Sequence, residues 1–218
     1  MKRAVMAFSG GMDSTGLLLR LLAEGFDITC ISYNYGQKHI VEIERAKMNI
    51  EYLRDHDRQI EHIVVDLSGV MKMFHSSLIS EDFDIPQGHY EEEQMKETVV
   101  PNRNAIFSSI LYGYALSIAA KENCQVSIGL GVHSGDHQIY PDCRPEFYSS
   151  IERTFQLGNW GSENVNFYLP YIEGDKEVIL RDSIESCELL GLDFDTVFAN
   201  NNTCLLYTSP SPRDATLS

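Results

Sequence analysis

The chain has 218 residues, 43% of them hydrophobic, which suits one α/β domain with a sizeable core. Its formal net charge of −15 argues against a broad surface for nucleic acid or for an acidic membrane. The five cysteines are widely spaced and form no Cys-x-x-Cys pair, unlike a secreted disulfide framework. No apolar stretch suits a signal peptide or a membrane span, so we expect a cytoplasmic protein.

The chain opens with a strand, a glycine-rich loop and a helix. Residues 4–8 form a short apolar run typical of a buried strand, and residues 16–22 have helical spacing. Between them lies Phe8-Ser-Gly-Gly-Met-Asp-Ser-Thr15. N–H groups at a helix N-terminus bind anions, and Gly10 and Gly11 allow the backbone to approach a ligand closely. The sequence therefore predicts a phosphate site in this loop.

The polar side chains of the loop fit that site unequally. Ser9, Ser14 and Thr15 add hydroxyl donors, but the loop lacks the lysine of a Walker A motif. A carboxylate repels phosphate, so Asp13 is explained either by holding Mg²⁺ or by capping the helix. The alternative interpretation of the whole segment is a glycine-rich strand-to-helix turn capped by Ser and Asp.

The next elements alternate between strand and helix. Residues 26–35 are predicted to form a second strand, residues 40–56 an amphipathic helix and residues 60–67 a third strand. This alternation is typical of parallel strands joined by right-handed crossovers. Ligands bind beyond the carboxyl ends of such strands, so we expect Lys38 and His39 near the crevice that holds the glycine loop. An ordinary polar loop is the alternative.

The segment of residues 68–98 interrupts this alternation. It contains glycines, a proline and a run of three glutamates at residues 91–93. We predict a short helix followed by a mobile loop. Such an excursion above a sheet either closes over a substrate or is a plain insertion.

Two cations stand where helices are predicted to begin. Arg103 precedes a long apolar helix over residues 105–123, with Asn102 as its N-cap. Lys176 opens an amphipathic helix that Asp175 caps and Gly191 ends. Cations normally favour the other end of a helix, so a bound anion would explain both residues. For Arg103 the alternative is a salt bridge to the acidic loop before it.

A polar loop follows the predicted fourth strand at residues 125–131. Residues 132–147 are dense in His, Asp, Tyr and Arg, which suits directed hydrogen bonds to a polar, planar substrate. His133 and His137 suggest a metal site, but no helix fixes their spacing, so we do not favour one. Pro145 then opens a helix, and residues 167–171 form a last short strand.

The end of the chain changes character. From residue 203 onward it is rich in Ser, Thr and Pro and lacks periodicity, which is typical of a disordered tail. The segment also resembles translated sequencing-adapter read-through. We predict one α/β domain over residues 1–203, with an open, mostly parallel, twisted sheet and helices on both faces. We expect residues 204–218 to be a non-native or disordered tail.

Four segments, taken in order, carry a resemblance to known enzymes. The loop Ser9-Gly-Gly-Met-Asp-Ser14 resembles the pyrophosphate loop of the N-type ATP pyrophosphatases, whose fold is Rossmann-like and of the adenine-nucleotide α-hydrolase kind. Tyr35-Gly-Gln-Lys-His39 and Val100-Pro-Asn-Arg-Asn104 follow it. Tyr140-Pro-Asp-Cys-Arg-Pro-Glu-Phe147 is the most specific. Together, across residues 1–204, they resemble the 7-cyano-7-deazaguanine synthase family.

The resemblance implies an ATP-dependent carbon–nitrogen ligase. It would convert 7-carboxy-7-deazaguanine and ammonia to 7-cyano-7-deazaguanine through adenylated intermediates, releasing AMP and pyrophosphate. The implied cofactors are ATP and Mg²⁺, and the family suggests a homodimer without nucleic acid or membrane partners. Its implied nucleotide-binding residues are Phe8, Ser9, Gly10, Gly11, Met12, Asp13, Ser14, Thr15, Gly16, Leu17 and Leu18.

The roles of the charged residues follow from the same resemblance. We expect catalytic roles for Asp13, as the Mg²⁺ ligand, and for Arg103 and Lys176, as partners of the phosphates. The expected substrate-binding residues are Lys38, His39, Asp136, Asp142 and Arg144. In that set, Asp would accept from the guanine-like N–H edge and Arg would meet the carboxylate.

One family feature is missing from the sequence. The family usually carries four cysteines near the C-terminus that bind structural zinc, and Cys204 alone corresponds to the first of them. Either the native C-terminus has been replaced by the tail, or the chain represents a zinc-free branch. Two other functions stay open: a tRNA-modifying ATP pyrophosphatase, which usually needs a cysteine pair and a basic face, and an inactive, truncated nucleotide-binding module.

Overall fold

A parallel sheet forms the centre of the protein. The computed structural model describes residues 2–36, 41–74, 99–136 and 140–199. Within these ranges all strand pairs are parallel and the order is β3-β2-β1-β4-β5. The strands are β1 Lys2–Ala7, β2 Phe26–Asn34, β3 Ile60–Asp66, β4 Val126–Gly129 and β5 Val165–Tyr168. The predicted open parallel sheet is confirmed.

Helices connect and cover the strands. They are α1 Met12–Ala23, α2 Val41–Asp55, α3 Ser68–Met71, α4 Arg103–Glu122, α5 Pro145–Gly158, α6 Lys176–Leu190 and α7 Phe194–Ala199. Short 3-10 turns occupy Ser134–Asp136, Pro141–Cys143 and Ser162–Asn164. The short helix predicted after the third strand is confirmed as α3, whereas the expected mobile loop over residues 75–98 lies outside the described residues. No helix in the described part is long and apolar enough to cross a membrane.

The side chains of β1 show that the helices pack on both faces of the sheet. Ala4, Met6 and Phe8 belong to one core cluster, which α1, α2, α6 and α7 cover. Val5 points the other way, into a second cluster that α4 and α5 cover. Because successive residues of a strand face opposite sides, one continuous apolar run supplies both cores.

The predicted ends of α6 are confirmed. The Asp175 carboxylate accepts a hydrogen bond from Val178 N at 3.0 Å, and Gly191 follows the helix with a left-handed φ of 66°. The last strand was predicted at residues 167–171 but spans Val165–Tyr168. Pro170 has no N–H group and so cannot continue the ladder. Sequence reasoning missed α7, a helix of six residues.

Candidate active site

A cavity of about 290 Å³ opens beyond the carboxyl ends of β1, β2 and β4. The chain steps outward from β1 through β2 to β3 and then returns to place β4 on the other side of β1. Open parallel sheets bind ligands at such a reversal of strand order. The wall includes Ser9, Asp13 and Ser14 from the glycine loop and Arg103 from the first turn of α4. Two of the three predicted catalytic residues therefore meet in one cavity.

The two serines of the loop hold its shape. The Ser14 hydroxyl donates to Gly11 O at 3.1 Å, so its oxygen accepts from the Ser9 N–H at 3.3 Å and from the Ser9 hydroxyl at 3.1 Å. The Gly11 N–H in turn donates to Ser9 Oγ at 3.3 Å. These hydroxyls were predicted to be phosphate donors. In the structure these hydroxyls form hydrogen bonds within the loop, so a phosphate would have to compete with those bonds.

Two glycines fix the loop against its neighbours. A Cβ on Gly10 would lie 2.9 Å from both Cα and N of Ala46 in α2, and the φ of Gly10 is +75°. A Cβ on Gly131, just beyond β4, would lie 2.8 Å from Asp13 O. The sequence suggested that glycine serves ligand approach. The structure shows that the absence of a side chain at Gly10 also lets α2 pack closely against the loop. At Gly131 it lets the first turn of α1 pack against the backbone beyond β4.

The remaining residues of the predicted nucleotide-binding set lie within α1. Met12 is nearly buried, and the side chains of Thr15, Leu17 and Leu18 are fully buried in the protein interior. Gly16 packs against α6, where a Cβ would come within 2.7 Å of Ile179 Cγ2. These residues anchor the helix that presents the loop. Direct contact between them and a nucleotide stays a prediction.

Asp13 occupies the first turn of α1. The N-cap of this helix is Gly11, which makes no side-chain capping bond, so Asp13 does not cap the helix. Its Oδ2 lies 3.6 Å from Nε2 of the buried His133. Its Oδ1 is buried and has no hydrogen-bond partner within the part of the chain that the structure describes. A buried carboxylate oxygen without a donor fits a hard cation such as Mg²⁺.

Arg103 begins α4 and lies partly buried on the cavity wall. Its guanidinium carbon is 5.8 Å from the ring centre of Tyr35. Burial lowers the pKa of Arg103, but Tyr35 and Asp142 outweigh burial and raise it, so the guanidinium keeps its charge. The alternative partner, the acidic loop at residues 91–93, lies outside the described residues. A fixed cation facing a cavity suits phosphate or carboxylate.

An aromatic wall that the sequence analysis did not single out completes the cavity. Tyr33 and Phe107 stack with ring centres 4.0 Å apart and planes 8° apart, and the Tyr33 hydroxyl donates to Phe107 O. Burial raises the pKa of Tyr33, so the phenol stays neutral. Phe107 lies four residues after Arg103 and hence on the same helix face, a spacing that could have revealed it. A flat apolar wall beside a cation suits a planar, polar ring.

The structure describes three of the five predicted substrate-binding residues. Asp142 and Arg144 flank Cys143, which lines the cavity. Asn104 donates to Asp142 O at 3.5 Å and so ties this turn to α4. Asp136 ends the first 3-10 turn. Lys38, His39 and Cys204 lie outside the described residues.

Lys176, the third predicted catalytic residue, opens α6 near the same edge of the sheet. The Ser134 N–H and the Ser134 hydroxyl donate to Gly174 O at 2.8 and 2.5 Å. This contact joins the loop after β4 to the turn just before Lys176. Within the described part of the chain, Lys176, Asp142 and Arg144 do not line the cavity itself.

The cysteines do not form a zinc site in the described residues. Cys30, Cys143 and Cys187 are buried, Cys124 is partly exposed, and all four are free thiols. Burial raises the pKa of Cys187 to about 11, which disfavours the thiolate that binds metal. No group of three or more His, Cys, Asp or Glu residues forms a metal cluster in the described ranges. The described residues therefore hold no four-cysteine zinc site of the kind that the resemblance implies.

A histidine supports the loop from the neighbouring strands. Ser32 Oγ donates to Phe8 O at 2.5 Å, so the nearby His62 Nε2, at 2.8 Å, donates to Ser32 Oγ. Burial lowers the pKa of His62 from 6.5 to about 4, and the positive charges of Arg54 and Lys47 add to this effect. His62 is therefore a neutral donor at neutral pH, and it links β3 through β2 to the start of the loop.

We expect the His62→Gln variant to lose less stability in acid than the parent. As the pH falls from about 6.5 to 4, the unfolded chain gains a proton on His62 and the folded chain does not. Gln keeps an N–H donor but does not titrate. Unfolding free energies from urea melts should fall by about 1 to 2 kcal/mol less in the variant over this window, after a discount for partial exposure. Parallel pH curves for the two proteins would contradict this.

Comparison with known proteins shows the family of the chain. The chain matches the family described as "Queuosine biosynthesis protein QueC" over residues 3–210. The chain belongs to this family. The match includes the glycine loop, Arg103 and the segment around Cys143.

Curated relatives share most of the chain. The 7-cyano-7-deazaguanine synthase 1 of Colwellia psychrerythraea is 39% identical, over 93% of this chain and 84% of that protein. The 7-cyano-7-deazaguanine synthase 2 of the same organism is 42% identical, over 89% and 82%. The 7-cyano-7-deazaguanine synthase of Hahella chejuensis is 42% identical, over 88% and 76%.

Proposed function

We propose that the chain is an ATP-dependent ligase that converts 7-carboxy-7-deazaguanine and ammonia to 7-cyano-7-deazaguanine, releasing AMP and pyrophosphate. One observation carries the proposal. In a member of the QueC family, the glycine loop, Asp13 and Arg103 line one cavity at the reversal of strand order. Relatives that bear the synthase name match 93% and 89% of this chain.

The first half of the proposed reaction forms an acyl adenylate. A carboxylate oxygen of the substrate attacks the α-phosphate of ATP, and the bond to pyrophosphate breaks. The N–H groups of the loop at the start of α1 would hold the leaving pyrophosphate. Arg103 and Lys176 would balance the charge that develops on the phosphate oxygens. Mg²⁺, held by Asp13, would supply further charge neutralisation.

The second half replaces both carboxylate oxygens. Ammonia attacks the acyl carbon and AMP leaves with one oxygen, which gives an amide. The amide oxygen then attacks the α-phosphate of a second ATP, and the bond to pyrophosphate breaks. AMP leaves with that oxygen, and the nitrogen loses its two protons as the nitrile forms. An acyl adenylate is lost if water reaches it first, so the site must limit water. The stacked Tyr33 and Phe107 rings close one side of the cavity.

We propose that the loop after β4 and the segment after β2 recognise the deazapurine. We place Asp136, Asp142 and Arg144 on the substrate, together with Lys38 and His39. Arg144 would meet the carboxylate, and the Asp side chains would accept from the ring N–H groups. The net charge of −15 supports a small-molecule substrate over RNA. A homodimer and a cytoplasmic location belong to the same proposal.

The reaction itself tests this proposal. Purified protein is incubated with 7-carboxy-7-deazaguanine, ammonium and Mg-ATP, and products are identified by mass spectrometry. We expect the nitrile, pyrophosphate and AMP, with no nitrile when ammonium is omitted. AMP without nitrile at any ammonium concentration would reject the substrate assignment. Formation of ADP instead of AMP would reject the chemistry at the α-phosphate.

A further inference from the structure

The contacts of His133 show which ring nitrogen carries the proton. The ring is buried, with 2% of its surface exposed, and its Nε2 lies 3.6 Å from Asp13 Oδ2. The Gly135 N–H donates to Nδ1 at 3.1 Å. A nitrogen that accepts a hydrogen bond carries no proton, so in the neutral ring the proton is on Nε2 and faces the carboxylate.

The backbone around His133 is shaped for this ring. A Cβ on Gly135 would lie 2.9 Å from His133 Cε1 and 3.0 Å from Nδ1, so a residue larger than glycine would displace the imidazole. Ser134, which lies between His133 and Gly135, donates hydrogen bonds from its N–H and its hydroxyl to Gly174 O. These two features fix the position of the imidazole independently of Asp13.

The geometry points to His133 as a positioning residue for Asp13. We propose that its neutral imidazole, protonated on Nε2 and 3.6 Å from Oδ2, orients the Asp13 carboxylate and so leaves the buried Oδ1 to the magnesium ion of Mg-ATP. With Gly135 donating to Nδ1 and Asp13 facing Nε2, the ring acts through the carboxylate instead of binding the metal directly. This inference rests on the proposed function, because it takes Mg-ATP as the ligand of the site.

Equilibrium binding measures the effect without requiring turnover. Mg-ATP is titrated by calorimetry into the parent and into His133→Ala, His133→Gln and Gly135→Ala variants, with the exposed His56→Ala as control. Loss of the residue that orients a metal ligand typically costs about 10- to 100-fold in affinity, which we expect for His133→Ala. His133→Gln, which keeps a donor, should lie within about threefold of the parent. Gly135→Ala should weaken binding although His133 is still present.

A spectrum tests the contact independently of binding. In long-range ¹H–¹⁵N spectra, the His133 signal, identified by its loss in His133→Gln, should show the tautomer protonated on Nε2. Asp13→Asn should shift that signal. If the parent binds no Mg-ATP, the proposed function fails and the inference fails with it. If the parent binds and His133→Ala binds equally well, or if the ring is protonated on Nδ1, the inference alone is overturned.

Discussion

Replacing Asp13 with Asn is expected to lower the rate of AMP release by a factor on the order of 10² to 10³. The substitution keeps the size of the side chain but removes the negative charge that would hold Mg²⁺ against the phosphates. Because Oδ1 is buried and lacks a donor among the described residues, the carboxylate lowers the free energy of unfolding when no ligand is bound. We therefore expect the thermal midpoint of Asp13→Asn to equal or exceed that of the parent.

Asp193→Asn is the matched control. Asp193 accepts a hydrogen bond from Thr196 N at the start of α7, and Asn can make the same bond. This variant should keep both activity and stability. An Asp13→Asn protein that retains more than about a tenth of the parent rate would contradict a transition-state role of this charge. A variant that is inactive only because it unfolds would show a lower thermal midpoint.

Replacing Gly10 with Ala is expected to destabilise the fold by about 2 to 5 kcal/mol. The left-handed φ of +75° accounts for about 1 to 2 kcal/mol of this loss. The close approach to Ala46 accounts for about 1 to 3 kcal/mol more, because the new Cβ meets backbone atoms of α2 at 2.9 Å. The same displacement should raise the KM for ATP, since the loop and α2 would separate.

Gly25→Ala separates the two causes. Gly25 has a similar φ of +78°, but nothing lies within 4 Å of the position that its Cβ would take. This variant should lose about 1 to 2 kcal/mol and keep its KM for ATP. The measurement is urea unfolding of both variants alongside initial rates. Equal losses at the two positions would show that α2 does not press on the loop as the structure indicates.

The elements of the fold were predictable because each has a strong local pattern. The apolar run of β1 and the helical spacing of α1 identified the strand and helix that flank the loop. The caps of α6 were predictable because Asp175 and Gly191 act through their own backbone neighbours. Arg103 was predictable as a site residue because a cation is unfavourable at the N-terminal end of a helix, and the structure places it on the cavity wall.

The contacts that refine the site could not be predicted, since they join distant parts of the chain. The imidazole of His133 suggested a metal in the sequence, whereas the structure pairs it with Asp13. The need for glycine at position 10 depends on Ala46, which periodicity identifies only as a helix face. In the sequence Tyr33 and Phe107 are typical core residues. Only the fold brings the end of β2 next to the start of α4 and stacks the two rings.

The fate of the substrate oxygens shows whether ATP is cleaved by the substrate or by water. With both carboxylate oxygens of 7-carboxy-7-deazaguanine labelled with ¹⁸O, the products are AMP and the nitrile, read by mass spectrometry. We expect two AMP molecules for each nitrile, each with one ¹⁸O, because each oxygen leaves in one adenylation. AMP whose new oxygen comes from the solvent would contradict it, since ATP would then be cleaved by water and not by the substrate.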